Sequence, residues 1–227
     1  MAISEQNRKR AANWLRYHWL WLAVGGVALF LLGHLVWSSV TAPKYDLQVA
    51  VVARDRFPDP VLEQLGDGLR AYTRDLNGDG KVTVHVTQYV IDFRADNAET
   101  IDMHAQAAGV SGLLADLRAC HTQVFLAEDP DAFSLSTGAL RYRDGSLPAD
   151  EVYPTWQETC YRWEDCPNLT RLAFEGYDGE LYGGSGRTED WFAPLYVGSR
   201  GFWEDTAPAY PEESEAFWQT LVAGAAP

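Results

Sequence analysis

The chain has 227 residues, 47% of them hydrophobic, which suffices for one ordinary domain with a real core plus an anchor. Its 18 basic and 32 acidic residues give a net charge of −14, and residues 1–40 hold four of the bases but one of the acids, leaving −17 on the remainder. A unit so acidic repels phosphate, because binding a nucleic acid requires Lys and Arg to displace condensed counterions, so nucleic acid is set aside as a partner.

The first element is an apolar run. From Trp19 to Val40 there is no Asp, Glu, Lys or Arg, and the run matches the ~20 residues a helix needs to cross the hydrocarbon core. Trp14, Tyr17, Trp19 and Trp21 gather at one end and Trp37 stands at the other, as interfacial aromatics do. Arg8, Lys9, Arg10 and Arg16 all precede the run and only Lys44 closely follows it, which predicts a cytoplasmic N-terminus. The expectation is a single-pass signal-anchor protein of the plasma membrane: basic tail 1–18, transmembrane helix 19–40, linker 41–45, and an extracytoplasmic domain 46–227. A cleaved signal peptide is the rival. The length of the run, and Pro43 directly after the small-residue site Val40–Ala42, favour the uncleaved anchor.

Beyond the linker, Tyr45–Ala53 is apolar and rich in β-branched residues, which predicts a central strand. Val61, Leu62, Leu65, Leu69, Tyr72 and Leu76 then recur at helical spacing, with Asp59 placed to cap and Pro60 at the first helical position. Val82–Val90 alternates apolar with polar residues and predicts a strand with one protected face. A second helix follows, with Met103, Ala107, Val110, Leu114 and Leu117 as its apolar stripe and Asp96–Glu99 as a capping box. Thr122–Ala127 is a further short strand. Strand-helix-strand-helix-strand with right-handed crossovers gives an α/β fold: a three-layer, open, mostly parallel sheet whose order starts 2-1-3.

The second half is loop-rich and aromatic. A hairpin around Asp178-Gly179, a strand within Phe192–Phe202 and a closing helix from about Glu212 to Val222 are its ordered parts. Gly183–Arg187 follows the hairpin and so predicts a loop, not a phosphate cradle.

Chemistry is sparsely signalled. Asp75, Asn77, Asp79 and Gly80 match loop positions 1, 3, 5 and 6 of a calcium site, yet position 12 is Val86, so this is no EF-hand. Either a helix-to-strand turn uses these residues for left-handed and Asx geometry, or the loop holds a structural calcium with oxygens borrowed from elsewhere. No other cofactor is indicated. Nucleophile-elbow, Walker and zinc-protease motifs are absent, and no histidine pair has metal-ligand spacing. Cys160 and Cys166 flank a short loop that a disulfide would close in an oxidising exterior; three reduced thiols, with Cys120, are the alternative. Trp156, Trp163, Tyr182 and Trp191 lie among Glu158, Glu164, Asp165 and Asp190, a composition that suits a ligand platform as well as core packing.

The segments "KYDLQVAVVA", "DLNGDGKVTVHVTQY", "GLLADLRACHTQVFLAEDPDAF" and "LYVGSRGFW" resemble a group of uncharacterised single-pass membrane proteins of Gram-positive anaerobic bacteria, over most of Lys44 to Ala223. The strand-helix-strand-helix-strand part also resembles one lobe of extracellular solute-binding proteins, in which an acidic D-x-P segment follows the third strand as "EDPDAF" does here. Those binding proteins close two lobes around a ligand, whereas this chain has the length for one; the group brings no established activity, and no functional residues are carried over. The expected function is a membrane-anchored extracytoplasmic binding or protein-interaction module, with a membrane protein as partner. A small-ligand or carbohydrate binder is the alternative, ahead of a glycan hydrolase, and catalysis is not expected.

Overall fold

The computed structural model describes residues 5–41, 44–94, 102–177, 186–201 and 207–226. The chain divides into two compact units, Met1–Lys44 and Tyr45–Pro227. The first is helix α1 (Glu5–Thr41), in which Tyr17–His34 is long and apolar enough to cross a membrane.

The second unit is α/β. Its elements are β1 (Leu47–Ala53), α2 (Asp59–Leu69), β2 (Val84–Val90), α3 (Met103–Ala119), β3 (Val124–Ala127), α4 (Pro130–Thr137), α5 (Trp156–Thr159), β4 (Cys160–Arg162), α6 (Pro167–Thr170), α7 (Glu189–Phe192), β5 (Tyr196–Ser199) and α8 (Pro211–Leu221). The five strands form one open sheet in the order β2-β1-β3-β5-β4. β2, β1 and β3 run parallel, so the 2-1-3 start stands, while β5 and β4 run antiparallel and make the sheet mixed.

β1 buries both faces, as its unbroken apolar run requires. Val49 and Val51 meet Leu65 of α2, and Phe217 and Trp218 of α8, in one core. Ala50 and Val52 meet Phe125, Leu113 of α3 and Phe133 of α4 in the other. The sheet is therefore the middle of three layers.

The helices deviate from expectation where backbone meets backbone. α2 starts a residue early, with Pro58 at the cap and Asp59 in its first turn. In α3 the buried residues are Gly109, Leu113 and Asp116, whereas Met103 is 65% exposed, Val110 37% and Leu114 46%. The reason is close approach: a Cβ on Gly109 would lie 2.4 Å from the Val90 carbonyl oxygen, so only glycine lets the helix reach the sheet there. Gly66 of α2 stands in the same relation to the Val84 carbonyl oxygen, at 2.8 Å. Asp116 is buried because it is paired, accepting hydrogen bonds from the Thr122 N–H and the Tyr89 O–H, both at 2.9 Å. The N-cap of α3 is Asp102, whose carboxylate accepts from the His104 and Ala105 N–H groups; the capping box expected at Asp96–Glu99 lies outside the described residues.

Candidate functional site

In an open α/β sheet, ligands bind beyond the carboxyl ends of the strands, where successive crossovers leave toward opposite faces. Here that point lies between β1 and β3. The chain leaving β1 turns through 54–58 to α2, in the core of Val49 and Val51, and the chain leaving β3 turns at Glu128 and Asp129 to α4, in the core of Val52. The divergence opens a cleft of about 210 Å³, whose wall includes Asp55, Phe57, Glu128, Tyr177, Asp190 and Trp191, with Arg187 and Leu195 at its side. A second cavity of about 230 Å³ reaches from Ile91–Arg94 to Asp129 and shares Ala53 and Glu128 with the first.

Local bonding fixes this wall. The Arg54 N–H donates to Glu128 Oε2 at 2.8 Å, tying the ends of the two strands together. Gln88 of β2 grips Phe57 twice, accepting from its N–H at 2.9 Å and donating to its carbonyl at 3.2 Å. The Trp191 ring lies against Phe57, centroids 4.9 Å apart, and its indole N–H donates to the Tyr177 hydroxyl at 2.9 Å. Three aromatic side chains are thus held by the scaffold around one opening.

The aromatic residues singled out in the sequence part company. Trp191 lines the cleft. Trp163 is buried in the core, stacked on Phe192 at 4.9 Å. Trp156 packs edge-on against Tyr196 at 4.9 Å with the Arg162 guanidinium 5.3 Å over its ring, and it is not among the residues of the cleft wall. Tyr182 and the hairpin turn at Asp178-Gly179 lie outside the described residues, although Tyr177 and Gly186 pair as an isolated antiparallel bridge on either side. Phe57, Asp55 and Glu128 were missed by sequence reasoning. The available signal was position, since Asp55 and Glu128 follow the first and third strands directly. No family model, no curated protein and no solved structure matches this chain.

The loop Asp75–Asp79 is organised by turns. Asp75 accepts from the Gly78 and Gly80 N–H groups at 2.6 and 2.7 Å, Asn77 from Asp79 at 2.9 Å, and Asp79 from Lys81 at 2.9 Å. Gly78 and Gly80 take φ of +73° and +84°, the left-handed conformation that favours glycine. Among the described residues no group of three or more His, Cys, Asp or Glu side chains is arranged to hold a metal ion. The loop instead closes on Asp46, 3% exposed, which accepts from the Leu76, Asn77 and Thr83 N–H groups at 2.7, 3.1 and 2.7 Å.

The disulfide expected between Cys160 and Cys166 is not formed: both are buried free thiols, as is Cys120. Cys160 belongs to the core on one face of the sheet and Cys166 to the core on the other, so their sulfurs serve different layers. Burial pushes each thiol up to about 12, which keeps both protonated and poorly nucleophilic at neutral pH.

Proposed function

We propose that this chain is a membrane-anchored extracytoplasmic binding module that holds a small ligand in the cleft beyond β1 and β3. The observation that carries the reading is the coincidence of a topological switch point with a preformed, aromatic-walled cavity. The cavity is smaller than the roughly 300–1,000 Å³ of drug-sized sites, so the ligand has few heavy atoms. α1 supplies the anchor, and the four bases that precede its apolar span Tyr17–His34 favour an N-terminus in the cytoplasm.

The test is a thermal-melt screen of the full-length protein in detergent against small-molecule mixtures. A ligand at 100 times its Kd stabilises by about 2.7 kcal/mol, and Trp191→Ala is expected to abolish the shift. A screen without any shift, or one that Trp191→Ala leaves intact, contradicts the proposal.

A protein-interaction role is favoured by one separate observation, the exposed apolar side chains Met103, Val110 and Leu114 along α3. In that reading a membrane protein covers this face, and Leu114→Glu abolishes its co-purification without altering ligand-induced stabilisation.

A further inference from the structure

The cleft's chemistry narrows the ligand. Trp191, Tyr177 and Phe57 line one opening, and aromatic faces carry the negative end of the ring quadrupole, which attracts cations. The Trp191 ring has a single donor, its indole N–H, and that is already given to the Tyr177 hydroxyl at 2.9 Å. Phe57 has no polar side-chain atom at all. The rings of this wall therefore offer a guest π-surface, while the hydrogen-bond acceptors and the negative charge come from the carboxylates beside them.

The charge of the lining points the same way. Asp55, Glu128 and Asp190 line the cavity with one base, Arg187; the Arg54 guanidinium lies 3.7 Å from Asp55 and the Arg187 guanidinium 3.6 Å from Glu189. A carboxylate or phosphate guest would meet three like charges in this lining and one opposite charge. The surrounding chain adds to this field, since residues 41–227 carry −17 and raise the local concentration of cations.

We propose that the cleft takes a small organic cation, an alkylammonium compound whose charged head sits against Trp191 and Tyr177, with Phe57 packed against Trp191 in the core, and is neutralised by Asp55, Glu128 and Asp190. The inference rests on the proposed function in taking the cleft as the ligand site, and adds the chemical class. The volume of about 210 Å³ accommodates one such head group with a short arm, not an oligosaccharide or a peptide.

The test is a tryptophan-fluorescence titration of the full-length protein in a non-ionic detergent with choline, with tetramethylammonium, with the uncharged tert-butyl isostere of choline, with glucose and with acetate. The two cations are expected to bind saturably and the isostere at least about tenfold more weakly. Trp191→Ala is expected to weaken choline by roughly 5–30-fold, the range of a desolvated cation–π contact. Asp190→Asn, a change at an exposed position, is expected to weaken the cations by about threefold or more while leaving the melting temperature unchanged. Equal binding of choline and its isostere, or no binding of either cation, overturns the inference. Binding of glucose or acetate that Trp191→Ala abolishes also overturns it, but leaves the cleft as a ligand site and so separates the two failures.

Discussion

At the scale of single residues, one buried carboxylate does most to connect the loops to the sheet. Burial alone would raise the Asp46 carboxyl, but backbone hydrogen bonds from Thr83, Leu76 and Asn77, with the Thr83 hydroxyl, hold it below its ordinary value of 3.8. A carboxyl depressed in the folded state stabilises the fold fully above its unfolded value, and that contribution is lost as pH falls through the lower folded one. Asp46→Asn is expected to cost about 1–3 kcal/mol at pH 7, because an amide cannot accept from all of these donors. The deficit relative to wild type should shrink below about pH 4, measured by urea unfolding at a series of pH values; a pH-independent deficit would show that the charge of Asp46 is immaterial. None of this was visible in the sequence, where Asp46 is merely the residue before a strand. Trp163 and Trp191 make the same point about the site. Both stand beside acids in an aromatic, loop-rich segment, yet one stacks in the core and the other lines the cleft, a distinction set by which loop each tryptophan occupies and not by its neighbours.

Among the elements, those fixed by repeated apolar spacing were legible. β1, β2, β3 and α8 fall where the apolar pattern puts them, and the crossover rule gave the order of the first three strands. α2 does so as far as Leu69 but stops short of Leu76, with Tyr72 in a following 3-10 turn. The buried face of α3 was not legible, because its contact with the sheet runs through glycines and a paired aspartate while its larger apolar residues turn outward. α4 carries a clear start signal, Asp129 as cap and Pro130 at the first turn, but its eight residues hold too few apolar positions to show a period. Strands of three and four residues, such as β4 and β5, carry too short a pattern to give their direction. The helix-to-sheet contacts yield a direct prediction. Alanine at Gly109 gains helix propensity but overpacks Val90, and the net expected is a loss of about 1–3 kcal/mol. Urea unfolding checks this, and a neutral or stabilised Gly109→Ala protein would show that α3 does not press on β2 as described.

For the whole molecule, an apolar helix and an acidic α/β unit share one chain, and four bases precede the apolar span while 31 of the 32 acids follow it in sequence. The proposed orientation predicts that protease added to intact cells removes the unit beyond Lys44 and spares the basic tail; a unit degraded only after lysis would place it inside. The switch-point cleft was accessible in principle from the 2-1-3 order alone, since the rule that locates it uses topology and not residue identity. Its aromatic wall was not, because Phe57 comes from the loop after β1, whereas Tyr177 and Trp191 come from segments more than 100 residues later in the chain.

The claim that the cleft is a ligand site is tested most directly by native mass spectrometry of the full-length protein extracted from its own membrane in mild detergent. The account predicts a small molecule retained at one per chain by the wild type and lost from Trp191→Ala, with both proteins folded by far-ultraviolet circular dichroism at the temperature of the measurement. A wild-type chain carrying nothing, or a bound molecule that Trp191→Ala keeps, would contradict it.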